Sequence, residues 1–444
     1  MRDYIVLAIV LLSVPVALVN PYYGVLMWSW LAYFNPHRYT WGIARDFPVA
    51  VLIAVPTLVG AVFARKNRHI FTRETVLLCL LWAWFAFTTL YVKTIPAFAG
   101  HLGEATGHLE EISKILLMTF VTILLVTSKE KLRLLLLVIV GSFGLRALIA
   151  AVFFIGTGGQ FKIWGPEGTF LADNNDFALA LNMTIPMFFF LARSEPRKWL
   201  RVTIRILMVC VIISVIGTYS RGGLIGLGAV TLGLLVKSNR KVLSLFLVGI
   251  GMFFVLTFAT LQWKERMDTF LHGDLDQSAE SRITVWIAGW HLVQDYPLTG
   301  GGFDVYTDPS VIVRYLPEDT PDSNLHGPHS IYFQMLGEQG FVGLALFLGL
   351  LAAAVLRLRK ICRIAKRDDE LSWAAPYADM FQITLLAYMA NGATLGRAYF
   401  DFFYVVIACI VILDVLFRRD IKAMMDREGE PVLETTDDLI PVAV

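Results

Sequence analysis

Charged residues are scarce in this sequence. Asp, Glu, Lys and Arg make up 17% of its 444 residues, whereas hydrophobic residues make up 57%. A soluble domain carries about a quarter charged residues, so the composition excludes an ordinary cytosolic enzyme. We predict an all-α polytopic membrane protein, in which the abundant Phe and Trp suit lipid-facing helices and interfacial belts.

Cysteine is also rare, with 4 residues in the chain. Cys79, Cys210 and Cys409 fall inside apolar runs, and Cys362 falls in a predicted basic loop. No pair resembles an extracytoplasmic disulfide and no spacing resembles a zinc site. We do not expect the first apolar stretch to be a cleavable signal, because further apolar runs follow and no small-residue cleavage site closes it.

Apolar runs that could cross a bilayer, each about 20 residues long, follow one another along the chain. They lie near 48–64, 74–91, 112–127, 134–156, 176–193, 201–218, 223–236, 241–262, 331–356, 375–394 and 399–417. Residues 4–34 are ambiguous, because Pro15 and the Asn20-Pro21 step allow one broken helix or a hairpin. We prefer one crossing, which predicts about twelve spans with both termini cytoplasmic. A hairpin predicts thirteen spans and an external N-terminus.

Basic residues indicate the orientation of these spans. Most of the 38 Lys and Arg residues cluster in alternate connections, at 65–73, 129–133, 193–205, 237–241, 357–367 and 418–427. Retained positive charge marks the cytoplasmic side, so we assign these connections and the tail, residues 418–444, to the inside. The part of the tail after Asp426 is acidic.

One external connection, residues 263–328, is much longer than the others. It is polar, rich in proline, and contains a predicted helix at about 280–295. Ile283, Trp286, Ile287 and Trp290 fall on one face of that helix, which favours packing on the outer membrane surface or over the mouth of the bundle. A structural lid is the alternative.

Cationic residues predicted to lie outside oppose the orientation rule and are candidates for chemistry. Arg221 stands at the external N-terminus of a span, beside Ser220, Gly222 and Gly223. Helix N-termini attract anions and glycines let an anion approach the backbone, so this turn is a candidate phosphate seat. A tight turn with a snorkelling arginine is an equally simple interpretation.

Arg282 and His329 are the other candidates. Arg282 opens the loop helix, and with Arg221 it could clamp a pyrophosphate through bidentate hydrogen bonds, unless it pairs with Glu280 or Asp276. His329 precedes the next span and could accept a proton from a sugar hydroxyl, although it could also cap that helix. His326 competes for the same role.

Two further groups of residues have simpler interpretations. Glu338 lies inside a span and needs a partner, for which Arg146 is the candidate; we expect this pair to be structural. Asp274 and Asp276 have the spacing of metal-using glycosyltransferases, but paired acids in a charged loop are common. We therefore expect neither a metal nor a cofactor.

Several of these motifs together resemble the O-antigen ligase and polymerase family. They are Ser220-Arg221-Gly222-Gly223, the Arg282–Trp290 helix leading to Pro297-Leu298-Thr299-Gly300-Gly301-Gly302, and Pro328-His329-Ser330-Ile331-Tyr332 followed by Glu338-Gln339-Gly340. Ser330 replaces the usual Asn. The first half, with Asn35-Pro36-His37-Arg38, also looks like the O-glycosylation ligases of exosortase systems.

The resemblance implies an inverting, metal-independent transfer in the multi-span, GT-C-like glycosyltransferase fold. The donor would be a glycan on undecaprenyl pyrophosphate and the acceptor a lipid A-core sugar hydroxyl, at the periplasmic face of the bacterial inner membrane. His329, Arg221 and Arg282 would be catalytic, and substrate would also contact Ser220, Gly222, His326 and Tyr332. Membrane lipids, but no nucleic acid, are expected as partners.

The resemblance also divides the chain into N-terminal helices (1–217), a motif region (218–343), C-terminal helices (344–417) and the tail. Four functions stay open. An O-antigen ligase is preferred, whereas an O-antigen polymerase or a protein O-glycosylation ligase would share the motifs. A lipid-linked glycan transporter would need several paired charges at mid-membrane depth.

Overall fold

The computed structural model describes residues 2–64, 66–67, 70–96, 98, 102–238, 277–317 and 327–428, and within them all regular structure is helical. Four one-turn helices also occur in the connections. The longer helices are α1 (Arg2–Val19), α2 (Pro21–Phe34), α3 (Val49–Phe63), α4 (Arg73–Val92), α5 (Leu102–Leu125), α6 (Lys129–Gly156), α7 (Asn174–Ser194), α8 (Lys198–Gly217), α9 (Arg221–Lys237), α10 (Gln277–Asp295), α11 (Ile331–Ala365), α12 (Ala374–Gly392) and α13 (Asp401–Glu428).

The helices confirm a multi-pass membrane protein. Six of those in the described segments, namely α1, α4, α6, α7, α8 and α11, are long and apolar enough to cross a membrane. The apolar helix α3 has only 15 residues. The predicted span at 241–262 and most of the acidic tail lie outside the described residues. Cys362 lies within the last turns of α11 rather than in a loop.

The basic clusters meet at one end of the bundle, here called the basic end, as their alternation along the sequence predicts. Lys129 Nζ at the start of α6 lies 2.6 Å from Asp420 Oδ2 in α13. Arg133 pairs with Glu195, which follows α7. Lys237 Nζ at the end of α9 lies 2.6 Å from Asp379 Oδ1 in α12.

Residues 2–34 fold into a hairpin, so the preferred single crossing is wrong. The chain reverses just before Pro21, which starts α2 where its missing N–H is not needed. Asp3 Oδ1 accepts a hydrogen bond from the backbone N–H of Gly42 at 2.9 Å. One continuous helix would hold the ends of this segment about 45 Å apart. The N-terminus therefore lies at the end that holds residues 35–48, opposite the basic end.

A buried ionic network joins α4, α11 and α13. Arg357 Nε lies 3.3 Å from Glu74 Oε1 and 3.7 Å from Asp414 Oδ2. The same Asp414 atom lies 2.9 Å from Arg418 Nε. The network lies toward the basic end, because Glu74 is the second residue of α4. The sequence does not predict this network, since Glu74 and Arg357 are 283 residues apart.

Removing Glu74 is expected to destabilise the bundle. The Glu74 side chain is 1% exposed and the Arg357 side chain is 7% exposed. Glu74→Ala therefore removes one of the carboxylates that balance the charge of the buried Arg357 guanidinium. Breaking such a pair costs about 3–5 kcal/mol, which is expected as a lower melting temperature in detergent. The exposed pair Arg427–Glu370 provides the control, and Glu370→Ala is expected to change the melting temperature little. Equal melting temperatures for the two variants would contradict this role.

Candidate active site

A cavity of about 980 Å³ opens at the end of the bundle opposite the basic end. Its walls come from α2 and α5, the segments before α7 and α11, and the connection between α12 and α13. Its titratable lining residues are His37, His108, Glu111, Lys114, Asp173, Asp176, Asp304, His329, Glu338, Arg397 and Asp401. The cavity therefore brings acids, bases and candidate proton carriers together in one open-mouthed space.

His329 lines this cavity, and its backbone is strained. Its φ is 42°, in the left-handed region that few residues other than glycine adopt. Trp286 of α10 holds the preceding residue by donating a hydrogen bond from Nε1 to the Pro328 carbonyl. The Trp286 ring also stacks on Phe333, with 4.7 Å between ring centroids. The helix of the long connection thus fixes His329 at the cavity wall.

Arg397 and Asp176 form an ion pair across the cavity wall. Arg397 Nε donates to Asp176 Oδ1 at 2.6 Å, and Nη2 contacts the second carboxylate oxygen. Asp176 is buried in the first turn of α7, whereas the Arg397 side chain is 40% exposed. The two residues are 221 positions apart, so this pairing could not be read from the sequence.

The connection that carries Arg397 also touches the start of α11. The backbone N–H of Ala398 donates to Gln334 Oε1 at 3.0 Å. A Cβ on Gly396 would lie 3.3 Å from the His329 backbone nitrogen, so the two segments approach closely because residue 396 is glycine. His329 and Arg397 therefore share one rigid wall.

Glu338 lies deeper in the cavity, and its expected pairing with Arg146 is wrong. Gln334 Nε2 donates to Glu338 Oε1 at 3.4 Å. Arg146 Nη1 instead donates to the Tyr39 hydroxyl at 2.7 Å, and its guanidinium lies over the Tyr39 ring. Arg146 thus anchors the connection between α2 and α3.

The Ser220–Gly222 turn lies beside the cavity. Helix α9 begins at Arg221, as predicted, and the Ser220 hydroxyl caps it by accepting from the Gly223 N–H at 2.9 Å. Ser220 Oγ also donates to Asn175 Oδ1 at 2.6 Å. A Cβ on Gly222 would lie 2.5 Å from Thr394 Oγ1, so glycine is required for this packing. The Arg221 side chain is half-buried.

The other predicted site residues lie farther from the cavity lining. Arg282 is half-buried on α10, whose Val285, Ala288 and Leu292 pack inward, while Ile283, Ile287 and Trp290 of the predicted apolar face are exposed. Tyr332 donates its hydroxyl to the Met389 carbonyl at 3.3 Å. Of the predicted site residues that are described, only His329 lines the cavity. His326, Asp274 and Asp276 lie outside the described residues.

Comparison with protein families gives two matches. Residues 206–348 match a family described as O-antigen ligase. This segment belongs to the O-antigen ligase family. Residues 1–196 match a family of unknown function (DUF5935). A search of curated proteins found no match.

The cavity forms where the two matched segments meet. The O-antigen ligase segment includes Arg221, Arg282, His329 and Glu338. The unknown-function segment supplies about half of the lining residues, Asp176 among them. Arg397 follows both segments along the chain. The O-antigen ligase segment on its own would therefore form only part of the cavity wall, because the unknown-function segment supplies about half of the lining.

His108 ties the long connection to α5. His108 Nε2 lies 2.6 Å from Asp304 Oδ2, and its Nδ1 lies 3.9 Å from Glu111 Oε2. His108 precedes the apolar part of α5. The hydrogen bond that His108 donates to the Asp304 carboxylate raises the pKa of His108 above its ordinary value of 6.5, against the opposing effect of burial. The protonated imidazole is therefore favoured beside this carboxylate.

The His108–Asp304 contact is expected to weaken with rising pH. A raised folded-state pKa gives stability that is fully present below pH 6.5 and is lost as pH rises through the folded value. Amide hydrogen exchange of residues 300–308 is therefore expected to be slower, after correction for intrinsic rates, at pH 6 than at pH 9. Asp304→Asn is expected to remove most of that difference. A pH difference unchanged by Asp304→Asn would contradict this assignment.

Proposed function

We propose that this protein is an O-antigen ligase of lipopolysaccharide biosynthesis. It transfers a glycan from undecaprenyl pyrophosphate to a sugar hydroxyl of lipid A-core, by an inverting reaction that needs no metal. The match of residues 206–348 to the O-antigen ligase family carries this proposal. The position of His329 on the wall of a cavity of about 980 Å³ supports it.

The donor pyrophosphate binds at the Ser220–Gly222 turn, together with Arg282. The N-terminus of α9 offers backbone N–H groups and the positive end of the helix dipole. Guanidinium groups add bidentate hydrogen bonds to phosphate oxygens. These donors stabilise the negative charge that develops on pyrophosphate as the anomeric C–O bond breaks. We call this site the pyrophosphate seat.

His329 serves as the general base for the acceptor. Its imidazole takes the proton of the acceptor hydroxyl while that oxygen forms a bond to the anomeric carbon. The C–O bond to pyrophosphate breaks with its electron pair, and attack from the opposite face inverts the anomeric configuration. The strained backbone at residue 329 fits a group that is held in place for reaction.

The proposed orientation places the cavity at the periplasmic face of the inner membrane. The basic end then faces the cytoplasm, in agreement with the positive-inside rule. The hairpin puts the N-terminus in the periplasm, and with the predicted span at 241–262 the count becomes thirteen. The GT-C-like glycosyltransferase fold is part of the same proposal, since the resemblance to O-antigen ligases implies it.

Substitutions are expected to separate donor binding from proton transfer. Arg221→Ala and Arg282→Ala are each expected to lower transfer by about 100-fold or more and to weaken donor binding. Arg→Lys is expected to recover little, since a point charge lacks the bidentate fork. His329→Ala is expected to keep donor affinity and lose about 10²- to 10⁴-fold in rate. The assay uses purified protein, lipid-linked glycan, lipid A-core and a chelator.

Matched controls come from the same end of the bundle but outside the cavity. Arg45 pairs with the exposed Glu167, and His291 is exposed beside the Tyr315 carbonyl. Arg45→Ala and His291→Ala are expected to retain transfer. Full transfer by His329→Ala would refute its role, and His326 would be tested next. Glycan that grows on its own carrier would show a polymerase, and a requirement for divalent metal would refute the proposed chemistry.

A further inference from the structure

The cavity adjoins the pyrophosphate seat without sharing its arginines. Neither Arg221 nor Arg282 lines the cavity. Ser220 of the seat donates to Asn175 at 2.6 Å, and the next residue, Asp176, lines the cavity. A molecule in the cavity would therefore lie next to a bound pyrophosphate while contacting a different set of side chains.

The charge of the cavity wall disfavours the binding of a phosphate group inside the cavity, in addition to the pyrophosphate at the seat. Six lining residues are acidic: Glu111, Asp173, Asp176, Asp304, Glu338 and Asp401. The lysine and arginine of the lining are Lys114 and Arg397, and the imidazole of His108 pairs with Asp304. Arg397 already pairs with Asp176. Lys114 is 60% exposed and lies 2.5 Å from Glu110. The excess of carboxylates repels anions and accepts hydrogen bonds from hydroxyl groups.

Aromatic rings supply the rest of the wall. The cavity is lined by Trp28, Phe170, Phe303, Tyr306, Tyr399 and Phe400. Apolar rings with a few polar groups between them are the usual composition of small-molecule sites. A sugar ring matches this wall, because it presents apolar C–H faces and hydroxyl groups at its edge.

Three buried polar atoms at this cavity have no hydrogen-bond partner among the described residues: Glu338 Oε2, the Tyr399 hydroxyl and His37 Nδ1. Glu338 is 2% exposed, and the Tyr399 hydroxyl lies close to its carboxylate without reaching good hydrogen-bond geometry. Buried polar groups are nearly always paired. One ligand hydroxyl could donate to Glu338 and accept from Tyr399.

We propose that the cavity is a subsite for an uncharged saccharide, held through its hydroxyl groups by Glu338 and Tyr399 on a wall shared with the segment of unknown function. This inference rests on the proposed function, which supplies two sources of such a saccharide. The acceptor sugar is one, and the donor glycan next to the pyrophosphate is the other. The phosphates of either substrate stay outside the cavity.

Calorimetric titration of the purified, full-length protein tests the subsite. The probes are core oligosaccharide with and without its phosphates, and undecaprenyl pyrophosphate with and without its glycan. Tyr399→Phe removes one hydroxyl and Glu338→Gln replaces one carboxyl oxygen by an amide NH₂ group, and each is expected to weaken saccharide binding about tenfold. Weaker binding of the free oligosaccharide assigns the acceptor. A loss confined to the glycan-bearing donor assigns the donor glycan.

The matched controls are Tyr91→Phe and Glu370→Gln. The side chains of Tyr91 and Glu370 are exposed and lie outside the cavity. Both control variants are expected to bind all probes as the parent protein does. Unchanged affinity of the Tyr399 and Glu338 variants for every probe would overturn the subsite, as would preference for the phosphorylated oligosaccharide. Failure of the parent to transfer glycan would contradict the proposed function instead, while the binding data would still decide the subsite.

Discussion

The geometry of the cavity depends on the ion pair between Asp176 and Arg397. A carboxylate that is 1% exposed bears a large desolvation cost unless a cation and hydrogen bonds compensate it. Arg397 does so through two of its nitrogen atoms, and the Tyr388 hydroxyl donates to its backbone carbonyl at 2.9 Å. The pair therefore fixes the connection between α12 and α13 against α7, and through Gly396 and Ala398 it fixes the start of α11. Loss of either partner would disturb both walls of the cavity at once.

Composition and charge predict much of the fold, because burial in lipid and the retention of positive charge act on each span locally. Within the described residues, the apolar runs correspond to helices and the basic clusters meet at one end. The hairpin at residues 2–34 is not determined locally, since a proline step fits either a kink or a reversal. Only the contact of Asp3 with a later segment decides between them. Pairings such as Asp176 with Arg397, 221 residues apart, are likewise beyond any pattern read along the chain.

The candidate site was predictable where a motif coincides with a helix boundary. His329 precedes α11 and Arg221 begins α9, so turn residues and apolar runs locate both. The same motif predicts substrate contact for Tyr332. The helical repeat instead directs its side chain toward Met389, away from the residues that line the cavity. Gln334 and Glu338, one turn apart on α11, share the face that lines the cavity. Adjacency in the sequence is therefore a poor guide to which side chains of this helix meet a substrate.

Backbone strain marks the same region independently of any motif. Within the described segments, the residues other than glycine with positive φ are Asn35, Tyr219, Asp304 and His329. Three of them line the cavity, and Tyr219 precedes Ser220 of the pyrophosphate seat. Each such conformation costs about 1–3 kcal/mol and persists only where the surroundings enforce it. The surroundings do so here, because Trp286 holds the segment at His329, His108 holds Asp304, and the Tyr219 ring contacts Phe154 edge-on. The packing that stabilises the bundle thus maintains strain where the cavity and the seat meet, which is where a fixed geometry benefits transfer most.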